Sequence, residues 1–335
     1  MDAAGEAGGG RVVTMAFSPG RIGSLTLANR IVMPPMQRYE GTPDGFATDY
    51  HVNHYARRAR GGVGLIILES TAVSPEGRLM ADDVGIYSDA HAAALSRVAS
   101  AIGAEGVPAL VQLSHGGRKA RPQGGPPLLA PSAVAYDDRY GLPQAMTPDD
   151  VEKVVRDFAA AAARAMAAGF AGVELHAAHG YLLHQFLSPL SNRRDDDWGG
   201  DEERRAALPA RIVRAVRRAV GPAAAVTMRI SASDDAEGGL TPEAAARMLS
   251  RIAGEGLDAV HVSCGGLVPP ERQSAARLRS VDCAGIVRAA LSIPVIAVGG
   301  VRSLETVEEL LASGKADFVA IGRPLLIYPD LHRSL

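Results

Sequence analysis

The chain has 335 residues, of which 47% are hydrophobic, 21% charged and 4% aromatic, enough apolar content for a sizeable core. Its formal net charge is −2 with acids and bases scattered, which predicts no nucleic-acid partner and no anionic-membrane surface. Two cysteines, Cys264 and Cys283, exclude a disulfide framework and a CxxC site, and point to a reduced, cytoplasmic compartment.

From the start, residues 1–10 are Gly/Ala-rich without a basic or apolar block, so no secretory signal is expected and residues 1–15 read as a disordered tail. No run of about 18 apolar residues predicts a membrane span. The remainder, 16–335, alternates short β-branched runs with longer Ala/Leu/Arg segments of helical period. Candidate strands are Ile31–Met36, Val63–Leu68, Ala109–Leu113, Gly172–Leu175, Ala224–Ile230, Ala259–Val262, Val295–Val298 and Phe318–Ile321. Helices are expected at about 48–60, 88–105, 148–168, 202–220, 241–255, 281–291 and 303–313. Thr147, Thr241 and Ser303 each place a hydroxyl before an acidic first turn, and Gly169, Gly256 and Gly314 follow helix ends. Eight such units predict an α/β fold, a single (β/α)₈ TIM barrel. The long irregular stretch from Ser114 to about Met146 follows the third strand, on the face where such barrels carry their chemistry.

Polar residues at the strand ends follow in chain order. Gln112 and Arg229 sit among apolar neighbours, where an unpaired polar group is costly. An amide and a fixed cation suit the polar edge of a flavin ring; ordinary structural pairing is the alternative. After the fourth strand comes Glu174-Leu175-His176-Ala177-Ala178-His179-Gly180-Tyr181. His176 and His179 could bind a metal, could pack structurally, or could donate to an oxygen gaining negative charge, with Tyr181 as proton donor. A third metal ligand at sensible spacing is not found. Val298-Gly299-Gly300 and Ile321-Gly322-Arg323 end the seventh and eighth strands, the usual phosphate position of these barrels; tight turns and a surface ion pair are the plain alternative.

Taken together, these residues resemble the old yellow enzymes, or NADH:flavin oxidoreductases. The likeness rests on Phe17-Ser18-Pro19 with Ile22 through Met33, on Gly64 through Glu69, on Gln112 through Lys119, and on His176 through Gly180 continuing to Asn192-Arg193-Arg194. It covers roughly residues 16–328.

The resemblance implies FMN at the C-terminal face of the barrel, with NADPH or NADH as reductant. It implies Pro35 and Met36 along the flavin, Gln112 at its pyrimidine edge, Arg229 at its N1–C2 region, and Gly299, Gly300, Gly322 and Arg323 at its phosphate. His176 and His179 would bind the carbonyl oxygen of an enone, Tyr181 would protonate Cα, and Tyr39 would flank the substrate. The implied reaction is ping-pong reduction of an activated C=C bond. Gln37 stands near flavin O4/N5 where one bacterial branch has cysteine and another threonine, and Ser70 replaces a commoner alanine. Homo-oligomers are common in the family, and some members place a C-terminal arginine in the neighbouring subunit's site; that arginine is not identified here. A 2,4-dienoyl-thioester reductase on the same barrel is the main rival, with a flavin-binding redox sensor and a metal-dependent hydrolase further off.

Overall fold

In the computed structural model, which describes residues 14–121, 127–275 and 279–331, eight parallel strands close into one barrel in simple chain order. They are β1 (Ile31–Met33), β2 (Leu65–Ala72), β3 (Ala109–Ser114), β4 (Gly172–Ala177), β5 (Ala225–Ser231), β6 (Ala259–Ser263), β7 (Val295–Val298) and β8 (Phe318–Ala320). All eight expected strands are present, though most of the expected tail lies outside the described residues.

Two strands differ from expectation by more than two residues at an end. β1 ends at Met33, not Met36, because Pro34 and Pro35 have no N–H to donate to a ladder. β2 starts after Gly61-Gly62 and runs to Ala72, with a register shift between Leu68 and Ser70 against β3. The bulge brings Ser70 opposite Gln112. Pairing is uneven around the barrel: β4 and β5 share six register pairs, whereas β8–β1 and β1–β2 share two each.

Side-chain alternation sorts the strands into two apolar layers. Val260 and Val262 pack outward among the helices, while Ala259 joins the barrel's interior cluster with Val32, Leu65, Ile67 and Ile296. A hairpin of Gly20–Ile22 and Leu25–Leu27, read from sequence only as a lead-in, inserts Ile22 and Leu27 into that interior cluster. The other end of the interior is polar: Gln112, Glu174, His176, Arg229, Ser231, His261 and Ser263 are all buried. Apolar filling at one end and polar groups at the other aim the chemistry at the C-terminal face.

Outside the strands run α1 (Asp49–Arg60), α2 (Asp89–Gly103), α3 (Pro148–Ala167), α4 (Leu182–Leu187), α5 (Glu202–Val220), α6 (Pro242–Ala253), α7 (Ser280–Ala290), α8 (Leu304–Ala312) and α9 (Arg323–Ile327). The expected caps form. Thr147 makes a capping box with Asp150, and Thr241 and Ser303 accept from Ala244 N and Thr306 N. Gly169, Gly256 and Gly314 hold left-handed φ of +92°, +115° and +69°. α4 was not anticipated: its six residues are all buried, so it has no polar face and no amphipathic period. α9 is a single turn opened by Arg323-Pro324. The segment after β3 holds a 3₁₀ turn at Gly117–Lys119 and a two-stranded pair, Leu129–Ala130 with Gln144–Ala145. Among the described residues, no helix is long and apolar enough to cross a membrane.

Candidate active site

A cavity of about 340 Å³ opens at the C-terminal face of the barrel. Nine of the residues singled out in the sequence line it: Pro35, Gln37, Tyr39, Ser70, Gln112, His176, His179, Tyr181 and Arg229. They come from the ends of β1 to β5, so barrel closure gathers positions almost 200 apart in sequence. Leu79, Met80, Asp83, Lys119 and Tyr140 complete the wall.

Each of His176 and His179 has one ring nitrogen engaged by the protein. The ring Nδ1 of His176 accepts from Ala178 N at 3.2 Å, which assigns the proton to Nε2. His179 Nε2 lies 2.9 Å from Ser263 Oγ. With Ser263 as donor there, the His179 proton is on Nδ1. Burial, then the nearby Arg229, holds both imidazoles well below their usual pKa, so both are neutral at pH 7. Their rings are 5.2 Å apart and nearly perpendicular, and the Tyr181 ring lies 4.8 Å from His176.

The backbone of this turn is specified as tightly as its side chains. His179 has φ +57°, a left-handed conformation uncommon outside glycine. A Cβ on Gly266 would come within 2.6 Å of His179 Cα, and one on Gly180 within 2.2 Å of Gly266 O. Only glycine fits at both positions. Lys119 Nζ seals the contact by donating to His179 O at 2.9 Å and Gly266 O at 3.3 Å. His179 N donates to Ser231 Oγ, and Gly180 N donates to His184 Nδ1, whose Nε2 meets Asp234 Oδ1 at 2.8 Å.

The cavity floor is a buried polar layer. Gln112 Nε2 donates to Glu174 Oε1 at 2.8 Å, which turns the amide oxygen away from that carboxyl. Glu174 Oε2 pairs with His261 Nδ1 at 2.9 Å. Arg229 is buried beside them, with one guanidinium contact to Pro35 O at 3.4 Å and its Nε without a partner. A buried donor left unpaired is an invitation to a ligand acceptor.

Across the cavity, Glu69 organises the loop after β1. It accepts from Arg38 N at 2.9 Å and from the Tyr55 hydroxyl at 3.1 Å. That fixes Gln37 and Tyr39 on either side, Tyr39 with φ +58° and half exposed. Gln37 Nε2 donates to Asp83 Oδ1 at 2.5 Å. Burial pushes the Asp83 carboxyl up to about 6 against the N–H groups of Leu79 and Met80.

Five singled-out residues do not line this cavity. Met36 is half-buried, and its Sδ lies 3.3 Å from where a Cβ on Gly322 would be. Gly299 and Gly300 are exposed with φ of +123° and +73°, and nothing lies within 4 Å of a Cβ on Gly300. Arg323 is exposed at the start of α9, with no hydrogen-bond or ion-pair partner among the described residues. Gly299, Gly300, Gly322 and Arg323 form a rim at the ends of β7 and β8.

Sequence reasoning missed the roles of Asp83, Tyr140, Leu79 and Met80, and quoted Lys119 and Glu174 only inside motifs. The rival use of the histidine pair as a metal centre has little to build on. Among the described residues no group of three or more His, Cys, Asp or Glu side chains is placed to hold an ion.

Buried imidazoles make the fold acid-sensitive. Burial lowers His54 to about 3 and His115 to about 4, and each leaves a buried Nε2 unpartnered. Both bind fewer protons folded than unfolded below their ordinary value of about 6.5, so stability falls as pH drops from 6.5 towards 4. Asp83 acts in the opposite sense between 3.8 and about 6, its raised pKa giving the folded state the extra proton. Two histidines, with His176 and His179 behind them, outweigh Asp83 and the half-buried Asp157, whose carboxyl burial also raises. The melting temperature is expected to be lower at pH 5 than at pH 7; an unchanged or higher value at pH 5 would contradict this accounting.

The family model for the NADH:flavin oxidoreductase / NADH oxidase family matches residues 15–335. The chain belongs to this family. An NADPH dehydrogenase of Clostridium acetobutylicum is 39% identical over 314 residues, covering 93% of this chain and 92% of that protein. The old yellow enzyme homologue from Zymomonas mobilis superposes with a TM-score of 0.82 at 30% identity, over 95% of this chain and 91% of that one. Morphinone reductase in complex with tetrahydroNAD gives 0.81 at 32% identity, over 95% and 89%. This member of the NADH:flavin oxidoreductase family is therefore an FMN-dependent NAD(P)H oxidoreductase of the old yellow enzyme type, and its barrel is the family's barrel.

Proposed function

We propose that this site reduces the C=C bond of α,β-unsaturated carbonyl compounds, with Tyr181 delivering the proton. The observation that carries the reading is the pair of neutral, buried, perpendicular imidazoles, His176 and His179, with the Tyr181 ring beside them in one cavity.

The chain's own groups fit FMN. The unpartnered Arg229 Nε and the amide oxygen of Gln112 complement the polar edge of an isoalloxazine; Pro35, Gln37 and Ser70 in the cavity wall would line it, with Met36 beside Gly322 at its margin. The open cradle of Gly299, Gly300, Gly322 and Arg323 suits a phosphate, with backbone N–H groups and a spare cation. When bound, FMN supplies the hydride, taken from NADPH or NADH and passed to the substrate's β-carbon.

The residues do the rest. His176 Nε2–H and His179 Nδ1–H donate to the carbonyl oxygen, and their bonds strengthen as that oxygen gains charge. Neutrality matters, since an imidazole already deprotonated at one nitrogen donates in a fixed direction. Tyr181 holds its proton across the working pH range because burial, then the Asp83 carboxyl, raises its phenol well above its usual value. That proton goes to Cα as enolate charge develops. Tyr39 flanks the substrate from the exposed side.

The test is spectral. The purified protein, kept anaerobic, is expected to show a flavin band that bleaches with NADPH and returns with cyclohexenone. Bleaching without return would remove the ene-reductase reading and leave a redox sensor. A colourless protein that takes up no FMN would remove the cofactor fit as well.

A further inference from the structure

We propose that Cys264 and Cys283 form an oxidisable dithiol site, which hydrogen peroxide converts into an intramolecular disulfide. These are the two cysteines of the chain, 19 positions apart, and the fold brings their sulfurs to 3.0 Å with both thiols free. A disulfide needs about 2.05 Å between sulfurs, so closure asks for a movement of about 1 Å.

Their surroundings divide the labour. Cys264 follows the last residue of β6 and is partly exposed, whereas Cys283 is fully buried in the first turn of α7. Peroxide therefore meets Cys264 first. Hydrogen bonding with Cys283, then with Ser280, holds the Cys264 thiol below its usual range and favours the thiolate, the form that reacts. The buried Cys283 is placed to resolve the product before further oxidation.

The chemistry balances in two steps. The Cys264 sulfur attacks one peroxide oxygen; an S–O bond forms, the O–O bond breaks, and the departing hydroxide takes a proton to become water. The Cys283 sulfur then attacks the Cys264 sulfur; an S–S bond forms, the S–O bond breaks, and a second water leaves. Two thiols and one peroxide give one disulfide and two waters, the sulfurs losing the two electrons that peroxide gains.

The strand side is the fixed partner. Gly265 N donates to Ser233 O at 2.7 Å, and Ser231 Oγ donates to Gly265 O at 2.8 Å. On the helix side Arg279 makes no side-chain cap bond; its guanidinium pairs with Asp282 in the first turn of α7. The bond would join α7 to the end of β6. It ties the strand end carrying Ser263, the partner of His179, to a helix whose Ser280 lies 3.2 Å from a Cβ on Gly299.

The holoenzyme would be treated with hydrogen peroxide at neutral pH, alkylated, and examined by intact mass and peptide mapping. The expected result is loss of two hydrogen atoms, a Cys264–Cys283 linked peptide, and restoration of two alkylatable thiols by dithiothreitol. In Cys283→Ser, Cys264 should be trapped by dimedone as the sulfenic acid. In Cys264→Ser, the buried Cys283 should stay unmodified at the same dose. Two unreacted thiols in the treated wild type, oxygen added to a cysteine without the link, or disulfides between chains would each overturn the proposal.

Discussion

Tyr181→Phe is expected to slow alkene reduction by about 10²–10⁴-fold, the usual range for loss of a positioned general acid, while reduction of the flavin by NADPH stays near wild type. The asymmetry follows from where the hydroxyl acts. The Tyr181 ring packs edge-on to His176, and Lys119 Nζ lies 5.1 Å from its centroid, so phenylalanine retains both contacts. In the proposed reaction only the transferable proton would be lost, and the reductive half-reaction would not need it. Rapid mixing of NADPH-reduced enzyme with an enone measures one half, and mixing of oxidised enzyme with NADPH the other. Equal losses in both halves would remove the proton-donor role.

The second large effect is expected at the imidazoles. His176→Ala with His179→Ala should weaken phenol binding and lower turnover, each lost donor costing on the order of 10²–10³-fold in rate. Phenol is the discriminating probe because in the proposed site its oxygen would take the place of the carbonyl oxygen, with no reaction to complicate the reading. Burial and Arg229 keep both rings neutral well below pH 6.5. Wild-type phenol affinity should therefore show no imidazole titration between pH 6 and 8. Titration of the flavin's long-wavelength absorbance with phenol gives the affinities, and an unchanged value in the double variant would count against the oxyanion site.

Much of this site was legible in the sequence because its residues sit at the ends of strands whose pattern is strong. Gln112, His176 and Arg229 each follow a β-branched or leucine-rich run, so knowing the strand fixed the face on which they appear. Residues on loops were harder to place. Asp83 joins the cavity through a bond to Gln37, 46 positions away, and Lys119 through carbonyls of His179 and Gly266, 60 and 147 away. Nothing local encodes such partners. The same reason hid α4, whose uniform burial erases the period that marks a surface helix. The proline pair after β1 is plain in the sequence, but the apolar run through Met36 masks where it stops the ladder.

The thin pairing around β1 has a further consequence. A barrel resists opening as a hoop does, only as well as its weakest stave is held, and β1 has two register pairs on each side where its neighbours across the barrel have six. In the arrangement proposed above, the residues just past this stave, Pro35 and Met36, and the rim beyond β8, Gly322 and Arg323, grip the same cofactor from either side of the gap. FMN then serves as the fastener of the hoop, and its departure frees the stave to breathe, with amide exchange in β1 quickening ahead of the other strands.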